Sequence, residues 1–285
     1  MGDKTGIEWT DATWNPVTGC DRTSPGCDNC YALKMAARLK RMGQANYQTD
    51  GDPRTSGPGF GVQCHPHMLD QPLRWKRPRR IFVNSMSDLF HPDVPDSFIG
   101  GVFDVMAQCP RHTFQVLTKR PQRMERLLSV WHAAGVWRRH DLMWCGPVEF
   151  PLPNVWLGTS IESDRYAFRA DNLRRTPAAV RFVSAEPLLG PLPSLDLAGI
   201  DWLIVGGESG PRSRPMHPDW ARDLRDRCAA TPTAFHFKQW GEHSPQQVRV
   251  GKHVAGRDLD GRTWDEFPAL TPSMPSTPTP PEPPQ

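Results

Sequence analysis

Cys20, Cys27 and Cys30 fall within eleven residues, C-D-R-T-S-P-G-C-D-N-C, directly ahead of a helix-like segment. Thiolates favour soft metals, and three of them are one too few to close a tetrahedral structural zinc site. The same number suits an iron-sulfur cluster that keeps one iron open to a ligand. Cys27 and Cys30 form a C-x2-C knuckle, and Pro25-Gly26 turns the chain back toward Cys20, so the three sulfurs are expected to converge. A zinc knuckle completed by Cys64, His65 or His67 is the other metal reading of this spacing. A disulfide is disfavoured, because the chain holds 7 cysteines, an odd number, and nothing in it signals export.

Further polar groups recur directly after short apolar runs. Ile81 to Val83 leads into Asn84, Ser85, Ser87 and Asp88, a set suited to ribose hydroxyls or a substrate amide. Thr113 to Leu117 ends in Lys119 and Arg120, which suit an anionic carboxylate or phosphate. Glu162 follows Val155 to Leu157, Glu186 follows Val180 to Val183, and Lys238 follows Ala234 to Phe237; with Lys119 these are the catalytic candidates, able to act as acids, bases or hydrogen-bonding groups. The competing use of each is pairing at a buried strand end. Trp9, Trp14, Trp75, Trp156 and Trp240 fall near the same ends and are candidates to stack on adenine or a nucleobase, with packing as the alternative.

The elements that must position these groups alternate between β-like runs and helix-like segments. Helical patterning covers Tyr31 to Met42, Asp96 to Gln108, Pro121 to Ala133, Asp164 to Arg175 and Pro218 to Ala229. The first of these sets Leu33, Ala36, Ala37 and Leu39 on one side and Lys34, Arg38, Lys40 and Arg41 elsewhere. Pro121 suits a first helical turn, Ser163 or Asp164 a cap, and Pro218-Asp219 a helix start. Pro187 to Gly199 shows no helix pattern. Together with a strand expected around Ile7 to Trp9, the runs make roughly seven β-α units. The fold class is therefore α/β, a parallel sheet curled into a full or partial (β/α) barrel, with a doubly wound open sheet as the rival. In such a barrel the carboxyl ends of the strands form one mouth, where the cysteine loop and the polar tails would meet.

Residues 1–247 read as the barrel domain, interrupted at about 44–72 by a long irregular insertion after the first helix. Residues 248–267 read as a small C-terminal β-ribbon around Asp260-Gly261, and 268–285 as a disordered tail rich in Pro, Ser and Thr. No apolar run approaches the ~20 residues that cross a bilayer, and the first ten residues are polar, so a cytoplasmic protein with no membrane partner is expected. A formal net charge of +3 does not by itself mark a nucleic-acid binder. Arg74-Trp75-Lys76-Arg77-Pro78-Arg79-Arg80 gathers five positive charges around a Trp, suited to phosphates and a stacked base, with solvated surface as the alternative.

The set W-N-P-V-T-G-C (Trp14 to Cys20), S-P-G-C-D-N-C-Y-A (Ser24 to Ala32), F-V-N-S-M-S-D-L-F (Phe82 to Phe90), L-T-K-R (Leu117 to Arg120) and G-G-E-S-G (Gly206 to Gly210) resembles a phage-associated family of unknown function. That family is known for a three-cysteine motif and is described as radical-SAM-like; the resemblance covers about Lys4 to Pro268. It implies a barrel of the radical-SAM type and a [4Fe-4S] cluster on Cys20, Cys27 and Cys30. It also implies S-adenosylmethionine chelating the fourth iron, with one electron cleaving the sulfonium to a deoxyadenosyl radical. Gly206, Gly207 and Glu208 resemble the G-G-E element that contacts the methionyl amino group: glycines permit close approach and a carboxylate suits an ammonium. Asn84, Ser85, Asp88 and Tyr31 join them as expected cofactor contacts.

Two features depart from the usual radical-SAM pattern. Six residues rather than three separate Cys20 from Cys27, and Asn29 stands where an aromatic customarily precedes the last cysteine, with Tyr31 following Cys30. Phage association and the 74–80 cluster point to nucleic acid or a nucleotide as substrate. Family members are often encoded beside a three-Cys-motif partner protein, which implies a heteromeric complex. The alternative function is a non-enzymatic zinc or iron-sulfur module that binds nucleic acid or a partner.

Overall fold

The computed structural model describes residues 5–134 and 150–269. Its first strand is not at Ile7 to Trp9 but five residues on, at β1 (Ala12–Trp14), followed by β2 (Val17–Thr18) and α1 (Tyr31–Arg41). After β3 (Gln63–Cys64) the alternation expected from the sequence sets in: β4 (Arg80–Val83), α2 (Asp96–Ala107), β5 (Thr113–Thr118), α3 (Pro121–Ala134), β6 (Val155–Ser160), α4 (Arg169–Arg175) and β7 (Val180–Ala185). No helix precedes β8 (Trp202–Gly206), and α5 (Pro218–Ala229) then leads to β9 (Ala234–Gln239).

Seven of these strands form one parallel sheet in the order β1-β4-β5-β6-β7-β8-β9. The order never reverses, which excludes the doubly wound rival, whose halves run outward from a switch point. Sequential parallel strands joined by right-handed crossovers carry their helices on one face.

The other face closes on itself. Trp9 lies 4.8 Å from Phe82 of β4 and 6.0 Å from Trp202 of β8, between ring centroids. In a flat sheet those two strands would stand four spacings apart, roughly 19 Å. One indole touches both only because the sheet is curled into a partial barrel, with β1 and β9 as its open edges.

The curl divides the apolar residues into two cores. Alternate residues Ile81, Val83, Phe114, Val116, Leu203 and Val205 pack outward under the helices, while Phe82, Trp156, Val180, Phe182, Trp202 and Ile204 form an inner floor with Trp9. Phe267 covers Trp202 from below, 5.0 Å between centroids. The tryptophans read as stacking candidates are thus all spent in packing: Trp9 and Trp156 in the floor, Trp14, Trp75 and Trp240 in the outer core, each buried.

The insertion is more ordered than its composition suggests. It contains three 3-10 turns, and its β3 pairs antiparallel with β2, Val17 opposite Cys64. Tyr47 and Phe60 from it pack on Ala32 and Ala36 of α1. The expected C-terminal ribbon is absent as such. Asp260 (φ 53) and Gly261 (φ 82) do make the predicted tight turn, closed by the Leu259 N–H on the Arg262 carbonyl at 3.0 Å. The rest of the segment is a short helix, α6 (Lys252–Ala255), and residues 264–266, which line the edge of β9: the Phe237 N–H donates to the Trp264 carbonyl at 2.9 Å. An unpaired edge strand claims this backbone before it can pair with itself. The tail expected to be disordered lies, beyond Ala269, outside the described residues. Among the described residues no helix is long and apolar enough to cross a membrane.

Candidate functional site at the barrel mouth

The cysteine loop runs from Gly19 to Cys30, across the carboxyl ends of the strands. Pro25–Cys27 forms a 3-10 turn, as Pro25-Gly26 leads one to expect, and Cys30 caps α1. All three cysteines are half-buried free thiols.

Three carboxylates from three different strand ends grip this loop. Asp88, beyond β4, accepts from Thr118 Oγ1 (2.7 Å), the Lys119 N–H (3.0 Å) and Arg120 Nη1 (3.0 Å). Arg120 Nη1 in turn reaches Cys20 Sγ at 3.4 Å, and its Nη2 donates to the Asp21 carbonyl. Glu162, beyond β6, is fully buried; it accepts from Arg169 Nη1 (3.2 Å) and from the Gly26 N–H (3.4 Å). Glu208, beyond β8, receives Arg214 Nε (2.9 Å) and Nη2 (2.5 Å) together with Asn29 Nδ2 (3.1 Å). The same Arg214 donates to the Pro25 carbonyl at 2.9 Å, so the β8 end and the loop are locked as one unit. Thr55 and Ser56 hydroxyls from the insertion and His91 Nε2 from beyond β4 converge on the Asp21 carboxylate.

This geometry separates the sequence candidates. Asp88, Glu162 and Glu208 hold the loop, with their oxygens engaged by the protein itself. Gly207 serves backbone approach, since a Cβ there would stand 1.9 Å from the Trp240 carbonyl oxygen. Gly206 leaves ordinary contact distance to Glu186 and Lys238, which form an ion pair of 2.5 Å. Ser85 exchanges hydrogen bonds with Asn15, and its carbonyl accepts the Tyr31 hydroxyl at 2.5 Å. Asn84 is buried with neither amide atom hydrogen-bonded, an unsatisfied donor and acceptor in one side chain at the end of β4. Lys119 has no carboxylate partner among the described residues, and its charge acts on Cys27 and Cys30.

Arg214, Arg169 and Asn29 carry much of this arrangement and escaped the sequence reading. Arg214 sits in an aperiodic turn six residues beyond Glu208, and its other partners, Pro25 and Asp28, lie far away in the chain, so no local pattern marks it. The basic run 74–80 lies before β4, at the far end of the strands from the cysteines. Three of its cations are already engaged, Arg74 with Asp70, Arg79 over the buried Trp75 ring and Arg80 with Asp11 and Phe267. A groove of about 440 Å³, lined by Cys228, Phe235 and Trp264, also lies at that far end, by the start of β9.

The thiols differ in electrostatics. Burial pushes Cys20 up to about 12, and Asp88 adds to the rise while Arg120 opposes it. Burial also disfavours ionisation of Cys27, but Lys119 and the Thr23 and Ser24 donors together outweigh it and bring the thiol below its ordinary value. Cys30 is raised by burial, against the pull of Lys119. The charge of Cys27 is felt at both other sulfurs.

The donor set suits an iron-sulfur cluster better than a lone hard ion: three soft thiols on one loop, with Lys119 and Arg120 placed to offset thiolate charge. Among the described residues no three His, Cys, Asp or Glu side chains already stand as a metal-holding group, so binding would draw the sulfurs together. Of the fourth ligands that the zinc alternative would use, His65 is buried with Nε2 at 2.8 Å from Thr18 Oγ1.

The model of a family described as protein of unknown function (DUF5131) matches residues 4–268. The chain belongs to this family. No curated protein matches this DUF5131 member. Two solved structures of spore photoproduct lyase are similar to it at 12% identity, one complexed with dinucleoside spore photoproduct (TM-score 0.35) and one a Tyr-to-Phe variant (TM-score 0.36). Each match covers 77% of this chain, which spans 61% of the length of those structures.

Proposed function

We propose that this DUF5131 protein is an enzyme of the radical-SAM type, holding a [4Fe-4S] cluster on Cys20, Cys27 and Cys30 and using S-adenosylmethionine. The observation that carries this reading is the gripping of a three-thiol loop by Asp88, Glu162 and Glu208, over the mouth of a parallel partial barrel. A loop that served only as a connection would need no such convergence of buried charge, which is costly unless paired. When bound, the cluster would supply one electron to a sulfonium ligand.

The chain's own residues would do the rest. Lys119 and Arg120 offset thiolate charge and favour the ionised ligands. Asn84 offers a buried donor and acceptor to a polar group, such as a ribose hydroxyl or a carboxylate. The Glu186–Lys238 pair beside Gly206 gives a proton-exchanging couple within the mouth, and the apolar floor beneath limits water.

Anaerobic reconstitution followed by iron, sulfide and zinc analysis and by EPR with and without S-adenosylmethionine tests the reading. About four irons per chain are expected, lost on replacing the three cysteines by Ala, with a spectrum perturbed by S-adenosylmethionine. One tightly held zinc and no iron would overturn it.

A further inference from the structure

Helix α1, which leaves the cysteine loop, carries four cations and no acid. Lys40 is engaged with Asp50, but Lys34, Arg38 and Arg41 are exposed and have no acidic partner among the described residues. Their spacing of four and three residues puts them on one face, along about 10 Å of helix. The line continues off the helix: the Lys34 ammonium lies 3.9 Å from where Gly210 would place a Cβ, and the exposed Arg212 follows it, also without an acidic partner.

Apolar groups interleave with these charges. Tyr31 is 54% exposed and Met35 40% exposed, on the same side of α1 as the cations. The Tyr31 hydroxyl is pinned to the Ser85 carbonyl, so its ring stands at the lip of the barrel mouth.

We infer that this face of α1, with the adjoining turn at Gly210 to Arg212, binds single-stranded nucleic acid and leads it to the mouth. Three unpaired cations over about 10 Å match roughly three backbone phosphates. An exposed aromatic at the end of that line offers a stacking platform that only an unpaired base can use. A membrane surface would call for a broad apolar face, whereas here single apolar side chains alternate with charges. That the strand is the substrate rests on the radical-enzyme reading; that it binds does not.

The test is fluorescence anisotropy of a short labelled oligothymidylate with the full chain. Binding is expected to weaken steeply as salt rises from about 50 to about 200 mM. The triple variant Lys34→Glu, Arg38→Glu, Arg41→Glu should lose more than about tenfold, and the slope of log affinity on log salt should fall by about two. Tyr31→Ala should cost about tenfold for the single strand. The triple variant should keep wild-type thermal melting and iron content, since none of its three side chains bonds to Asp88, Glu162, Glu208 or the arginines paired with them.

Undiminished binding by the triple variant would overturn the inference. So would competition by poly-glutamate as effective as by oligonucleotide, which would make the partner an acidic protein. A duplex bound as tightly as the single strand, with Tyr31→Ala neutral, would overturn the single-strand assignment. Normal oligonucleotide binding by a chain that takes up no iron would support the surface and sink only the cluster reading.

Discussion

One guanidinium nitrogen of Arg120 stands between Cys20 and Asp88, 3.4 Å from the sulfur and 3.0 Å from Oδ2 of the carboxylate. It offsets the charge that Asp88 would otherwise impose on a buried thiol. Removing it in Arg120→Met leaves Cys20 facing Asp88 alone, and its ionised fraction should fall. Of the three loop cysteines in metal-free protein, iodoacetamide should label Cys27 fastest and Cys20 slowest, and Arg120→Met should slow Cys20 by a further factor of about ten. Arg120→Lys should recover part of the rate. Mass spectrometry of the labelled peptides reads this directly, and equal rates at Cys20 and Cys27 would refute the electrostatic picture.

The two glycines of the G-G-E element should part company on substitution. A Cβ at Gly207 meets the Trp240 carbonyl oxygen at 1.9 Å, a backbone atom that cannot step aside, whereas at Gly206 the nearest atoms are 3.4 Å away. Gly207→Ala should therefore destabilise by about 3 kcal/mol or more, as overpacking against fixed backbone does. Gly206→Ala should stay within about 1 kcal/mol. Urea unfolding separates them. If Gly206→Ala folds normally yet loses S-adenosylmethionine binding by calorimetry, its bareness serves the ligand; retained binding would strip it of that role.

Much of the barrel is legible because each unit announces itself locally. Pro218 at a first helical turn, apolar spacing through Leu224 and the end at Ala229 mark α5 without any tertiary information. Trp9 misleads for a physical reason: burial, not backbone pairing, determines its type, and a floor residue supplied by a distant segment looks like a strand residue in a short apolar run. Glu208 misleads in the opposite way. A Gly-Gly-Glu after a strand reads as a ligand contact, but whether its carboxylate is free depends on Arg214 and on Asn29, 179 residues away. Pairing across that distance leaves no periodic trace.

That pairing has a consequence of its own. Glu208 is 5% exposed and accepts four hydrogen bonds, three of them from Arg214, and burial alone would raise its pKa, yet Arg214 and Asn29 hold it below the ordinary carboxylate range. Glu208→Ala leaves Arg214 half-paired and Asn29 with only the Arg212 carbonyl to donate to, which loosens the hold on the loop. A cost of about 2 kcal/mol is expected, below the full value for a buried pair because Arg214 is partly exposed. The sharper readout is local: limited proteolysis should cut the loop between Cys20 and Cys30 well before global unfolding. Protection equal to wild type would mean that the loop is held elsewhere.

His236 sets an acid limit on the fold. Its ring is buried at 1% exposure between Trp202 and Phe267, with neither nitrogen hydrogen-bonded, and burial pushes its pKa down to about 4 despite Asp265 nearby. In the unfolded chain the same group titrates near its ordinary value of 6.5. Between those two values the unfolded chain binds the extra proton, so stability falls as pH falls. The contribution is fully present above about pH 6.5 and lost progressively toward pH 4, some 3 kcal/mol in all. His236→Phe removes the titrating group while keeping an aromatic ring in the floor. Its urea midpoint should change less than that of the wild type across this window. A variant whose acid sensitivity matches the wild type would refute His236 as the group that sets the acid limit.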